Sequence, residues 1–302
     1  MPVEFARLTS TEADALPREK TVFFFPVGPM EDHGPHLPLG MDLAEADALC
    51  RLTAERLEKD LPGWVGVLMP AAPLGIEGNT THLVLSVRAH VLRDWLVDAC
   101  KSLMRAGFRH FVCFSGHLGP KQLTTIEEAG KMLFRFARWR GYFLKGSRPM
   151  LVSASSSLVT AREVFASPLV PDPLEHGGSR DTSVALARGL AHAEFASLPS
   201  VEREGSWSAR FAKRFKKQLR GYWGDPASAS AARGETILCG TLDQVYPKLR
   251  ASWEGANPNL LFRSWYSILP PNKSLFKVWI LFLFALVFLL AAIYMYALAL
   301  LR

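Results

Sequence analysis

The chain alternates short unbroken apolar runs with longer stretches in which apolar residues recur every three or four positions. Val22 to Phe25, Val65 to Met69, His110 to Phe114 and Pro149 to Ala154 are rich in β-branched and aromatic residues, are bounded mostly by Gly and Pro, and predict buried strands. Between them, Leu43 to Lys59, Val91 to Arg105 and Lys121 to Trp139 carry helical periodicity, and Gly107 suits a helix C-terminal cap. Strands that alternate with helices need crossover connections. The pattern therefore predicts an α/β fold with a mostly parallel sheet.

The last apolar run is of another kind. Val278 to Leu301 carries no charge, and as a helix would extend roughly 36 Å at about 1.5 Å per residue. That exceeds the ~30 Å hydrocarbon core of a bilayer, so a C-terminal transmembrane helix is expected over 278–301. Trp279, Tyr294 and Tyr296 suit its interfacial belts. Lys273 and Lys277 precede the run and only Arg302 follows it, and no apolar leader is seen near Met1. The expectation is a single-pass membrane protein with its large domain, residues 1–256, on the cytoplasmic side, joined to the span by a proline-containing linker over 257–277.

A net charge of +7 and a pI near 9.3 raise the question of an acidic partner. Much of the positive charge falls in Ser206 to Trp223, where Trp207, Phe211, Phe215 and Leu219 recur every four residues among six Lys and Arg. This is a basic amphipathic helix pattern, suited either to anionic lipid or to packing on the domain or a neighbouring subunit. No nucleic-acid recognition module accompanies it, so nucleic acid is not expected as a partner. Cys50, Cys100, Cys113 and Cys239 are scattered without a CxxC pair, which excludes a zinc ribbon and argues against a disulfide framework.

Chemistry is densest between Thr21 and Asp42. An apolar strand there breaks into a loop that holds Glu31, Asp32, His33, His36 and Asp42 within twelve residues. His82 and His117 also follow predicted strands, and in a parallel sheet such loops gather along one edge, where open α/β sheets bind their ligands. Carboxylates and imidazoles in company suit borderline divalent metals. Farther on, His176 and Asp181 stand five residues apart across a pair of glycines, although Asp181 or Thr182 would serve equally as a helix N-cap.

These residues resemble the creatininase family of metal-dependent amidohydrolases. Pro26 to Asp42 is similar to the family's opening motif over its whole length. Gly116-His117 after an apolar strand resembles the second, His176-Gly177-Gly178-Ser179-Arg180-Asp181-Thr182-Ser183 the third, and Gly224-Asp225-Pro226 the late Gly-Asp-Pro motif. The resemblance spans roughly Val3 to Gly255 and implies a three-layer α/β/α fold. It also implies one or two divalent metal ions, zinc first, with manganese or iron as alternatives. Glu31, His33, Asp42 and His117 would be ligands, with Asp42 shared between two ions. His176 would be the general acid and base, and Asp181 would either complete the metal site or orient His176. The activity implied is cleavage of a carbon–nitrogen bond in a small, possibly cyclic, amide, with homo-oligomers, often hexamers, among relatives. Some relatives are peptidases of short or modified peptides. The chain departs from the pattern at Gly119, where creatininase has a glutamate ligand, at Pro120 and at Ser179. A scaffold that has lost activity and serves as a membrane interaction partner is the reading from a different class.

Removing Lys277 to Arg302 is expected to release the domain from membranes, as read by sedimentation with vesicles. A truncated chain that still pellets with vesicles would move the membrane contact to the basic segment.

Overall fold

The computed structural model describes residues 2–76, 84–139, 150–158, 175–201, 221–264 and 273–300. His82 and the basic segment as far as Arg220 lie outside the described residues. Five strands form one parallel sheet, β1 (Val3–Glu4), β2 (Thr21–Val27), β4 (Val65–Leu68), β6 (His110–Ser115) and β7 (Met150–Ser153), in the order β1-β4-β2-β6-β7. A small antiparallel pair, β3 (Met30–Glu31) and β5 (Val84–Leu85), lies apart from it.

Strand β2 is central, and all seven of its residues are buried. Period-two alternation sends its side chains to opposite faces. Val22 and Phe24 join one core with helix α2 (Met41–Asp60) and α6 (Ala231–Trp253), whereas Phe23, Phe25 and Val27 join a second core with α3 (Ala89–Arg105) and α4 (Pro120–Trp139). Helices therefore cover both faces, which is why the strands read as continuous apolar runs. Truncating a buried ring such as Phe24 to alanine removes about 3–5 kcal/mol from either layer's packing.

The topology positions the site. From β2 the chain crosses through α2 to β4 on one side, then passes back over β2 through α3 to β6, and leaves β6 through α4 toward β7 on the other side. The loops after β2 and β6 thus diverge to opposite faces of the sheet. The carboxyl ends of those two strands are therefore a topological switch point, the place where open α/β sheets hold their ligands.

At the far end of the chain, Phe262 is buried and the backbone N–H and Oγ–H of Ser264 donate to Glu127 Oε1 at 2.9 and 2.6 Å. The first part of the expected linker, 257–264, therefore packs on the domain. The apolar run is helical, within α8 (Lys273–Leu300). Among the described residues no helix is long and apolar enough to cross a membrane, so the expected span is not established by the structure.

His110, at the start of β6, is buried with its ring 5.3 Å from that of Trp64. Burial pushes its imidazole down to about 4, so the folded state holds it neutral. Its stabilising contribution is present above the ordinary histidine value and is lost as pH falls from about 6.5 toward about 4, an effect of about 3 kcal/mol. His110→Phe is expected to flatten this acid limb in a thermal-denaturation series.

Candidate metal centre

Beyond β2 the chain turns at Gly28 and pairs again as β3, where Glu31 lies opposite Val84 and its N–H donates to the Leu39 carbonyl at 2.9 Å. Two-sided pairing makes this loop rigid. Glu31 is fully buried, and His33 Nδ1 lies 3.1 Å from the Glu31 carbonyl oxygen. Asp42 sits in the first turn of α2, where the helix dipole favours a negative charge. After β6, Gly116 lets the loop pass directly against the Asp42 main chain; a Cβ at that position would overlap the Asp42 carbonyl. This close approach brings His117 onto the acids.

Asp42 faces an imidazole with each oxygen, His33 Nε2 lying 3.5 Å from Oδ1 and His117 Nδ1 lying 3.6 Å from Oδ2. His117 Nδ1 is also 3.0 Å from Glu31 Oε1. Asp42 thus stands between the two imidazoles, where a carboxylate would be able to serve two ions. Among the described residues, Glu31, Asp42 and His117 form one group with ligand atoms within 4.8 Å of one another, and Glu31, His33 and His176 form another. In the second group the His33 and His176 rings are stacked, with centroids 4.1 Å apart and planes 28° apart. The first group meets His33 through Asp42.

The donor set fits a dication. Both Glu31 oxygens, Asp42 Oδ2 and His117 Nε2 are buried without a hydrogen-bond partner among the described residues, which costs free energy unless something positive is shared between them. Protons answer the same demand. Burial would lower the imidazoles, but the neighbouring acids outweigh it and hold His33 at about 9 and His117 at about 10. Burial pushes Glu31 up, whereas at Asp42 the two histidines overcome burial and keep the carboxyl well below its usual range.

His176 lies at the other wall. Its Nε2 is 2.8 Å from the Asp32 carbonyl oxygen, and because a carbonyl only accepts, the proton is on Nε2 and the lone pair on Nδ1. The ring lies between His33 and the Trp223 indole, 4.8 Å away, and its backbone pairs with that of Trp223. Burial and the charge on His33 lower it to about 4, so it stands neutral. Asp181 belongs to neither metal-capable group: its Oδ2 accepts the Gly177 N–H at 2.8 Å and its Oδ1 accepts from Arg180 Nη1 at 3.0 Å. Of the two roles expected for it, the geometry favours orienting the His176 loop. His36 turns away, its Nε2 2.8 Å from Thr182 Oγ1. Gly119 brings no side chain to the site, and a Cβ there would meet the His117 ring. Trp223 was not anticipated as part of the site; it immediately precedes the Gly-Asp-Pro motif, where an aromatic residue reads only as the end of the basic stripe.

A family profile described as "Creatininase: Creatinine amidohydrolase" matches residues 6–247. The chain is 28% identical over 253 residues to a "Mycofactocin precursor peptide peptidase" of Mycobacterium ulcerans (strain Agy99), covering 81% of this chain and 90% of that protein. It is 24% identical over 176 residues to a "Creatinine amidohydrolase" of Pseudomonas putida, covering 55% of this chain and 64% of that one. In fold it is similar to a structure described as "Creatininase Mn", with a TM-score of 0.63, 22% identity, and coverage of 84% of this chain and 99% of the other. A mutant creatininase of "Zn-Zn type" gives 0.62 at 22% identity over the same shares.

A divalent ion must displace the protons from His33 and His117. Below their raised values each is protonated, so zinc affinity is expected to rise with pH, by up to about tenfold per displaced proton per unit between about pH 6 and about pH 8. Calorimetry in two buffers checks the proton release. Asp42→Asn and His117→Ala should each weaken zinc more than about tenfold, and unchanged zinc content in both would remove this site.

Proposed function

Since the chain belongs to the creatininase family, we propose that it is a metal-dependent hydrolase of carbon–nitrogen bonds in small amides. The observation that carries this reading is the pair of buried carboxylates, Glu31 and Asp42, facing His33 and His117, with both Glu31 oxygens and Asp42 Oδ2 lacking a hydrogen bond among the described residues. In it, Glu31, Asp42 and His117 would hold one divalent ion, and His33 with Asp42 would help to hold a second, with zinc the first candidate and manganese or iron next. Such an ion polarises a carbonyl and brings a water toward ionisation near neutral pH.

The chain's own residues supply the rest. His176 is neutral, keeps its Nε2 proton on the Asp32 carbonyl, and has Nδ1 available to take a proton from water and return it to the leaving amine. The His33 and Trp223 rings hold its plane, and Asp181 holds the turn that follows it. A peptidase of short or modified peptides is the second reading, favoured by the mycobacterial relatives that the chain matches over about nine-tenths of their length.

Tethering belongs to the same proposal. Phe282 to Tyr296 of α8 expose large apolar side chains at 43–73% of their surface, far more than a domain in water leaves bare along one helix. A bilayer, with the domain on the cytoplasmic side, is the environment that this helix suits; assembly into homo-oligomers rests on analogy with relatives.

Zinc- or manganese-loaded full-length chain, assayed against cyclic amides, linear amides and short peptides, tests the reading. His176→Ala is expected to lower turnover about 10²–10⁴-fold with metal content unchanged. Stoichiometric metal without hydrolysis of any of these would favour a scaffold instead, and loss of metal in His176→Ala would make His176 a ligand.

A further inference from the structure

The residues after His176 connect to a buried charge network that the reaction itself does not require. Arg180, in the first turn of α5 (Ser179–Ala187), is buried and points its guanidinium at α2. Its Nη1 and Nη2 donate to Glu45 Oε2 and Oε1 at 3.0 and 2.5 Å, a bidentate pair, and Nη1 also donates to Asp181 Oδ1 at 3.0 Å. The other Asp181 oxygen takes the Gly177 N–H. Glu45 lies three residues after Asp42, one turn along the same helix, and is itself buried. An unbroken hydrogen-bonded path therefore runs from the helix that carries Asp42 to the backbone next to His176.

Stability alone does not account for this network. Two apolar side chains of similar volume in place of a buried ion pair are often as stable or more so, because taking both charges out of water consumes most of their attraction. Arginine also presents a planar fork that reaches two carboxylates at fixed angles, which a point charge cannot do. The Gly177 turn has a single tolerance: it is left-handed, with φ +60°, and a Cβ would overlap the His33 carbonyl. A loop that passes this close to the His33 main chain must be held in place: the His176–Trp223 backbone pairing and the Glu175 carboxylate on the Arg180 N–H fasten its flanks, and Asp181 holds the Gly177 N–H itself.

We propose that Glu45 and Arg180 are positioning residues: together they fix Asp181, and through the Gly177 N–H they lock the His176 ring on the Asp32 carbonyl in register with Asp42. The inference rests on the hydrolase reading only for the purpose of the lock, since the lock itself is a property of the metal-free chain.

Nitrogen-15 NMR of the histidine rings in the full-length, metal-free chain reads the lock without metal or substrate. Wild type is expected to show His176 as a single Nε2–H tautomer. The paired change Glu45→Met with Arg180→Met should leave the thermal midpoint close to wild type yet average the His176 tautomers, and in the loaded chain lower kcat at least tenfold with KM little changed. Should that pair fail to fold, Asp181→Ala, which keeps the Glu45–Arg180 pair and removes the Asp181 contacts to both the Gly177 N–H and Arg180, decides the matter by the same tautomer signal. A single Nε2–H tautomer surviving in either folded variant overturns the proposal. A tautomer lost while no amide is hydrolysed by wild type would uphold the lock and remove the hydrolase reading instead.

Discussion

Two acids, Glu31 and Asp42, are buried side by side at the carboxyl ends of β2 and β6, and the arrangement around them follows from that constraint. Neither can be ionised in such a place without positive charge within reach, because the cost of an uncompensated buried charge is several kcal/mol. His33 and His117 provide it as imidazolium ions, one on each oxygen of Asp42. A dication would meet the same demand and release the protons. The site is in this sense built around a positive charge that the protein only partly supplies.

Holding acids together against their repulsion requires elements that do not yield. Strand β2 is buried along its whole length between two helical layers, the β3–β5 pair ties down Glu31, and α2 presents Asp42 from its first turn. The approach of the Gly116 loop closes the arrangement from the neighbouring strand. By contrast, His176 stands just before α5, and its ring is placed by a stack between His33 and Trp223, by the Asp32 carbonyl and by the charge network that begins at Glu45. One wall of the site rests on the sheet, and the other on side chains gathered from distant parts of the chain.

The C-terminal helix obeys different rules. Between it and the centre, the chain is fastened to the domain at Phe262 and at the Ser264–Glu127 contact, on the layer formed by α4. Beyond that point, Phe282 to Tyr296 leave large apolar side chains exposed along one helix.

The amino-acid sequence by itself determined the strands with two covered faces, because burial on both sides leaves a continuous apolar run, and it determined the crowding of Glu31, His33 and Asp42, because those residues are close along the chain. His117 was legible from its place at a strand end. Strands of two residues, β1, β3 and β5, carry too little periodicity to be seen. Only the tertiary structure decided which imidazoles face the acids: His36 stands among the candidates in sequence yet turns to Thr182, 146 residues away. It also gave the Asp181 oxygens their partners at Gly177 and Arg180, and brought in Trp223 and the Glu45–Arg180 pair, whose partners are 135 residues apart. Periodicity is a local property of the chain, whereas the direction of a lone pair is set by contacts made only when distant segments pack.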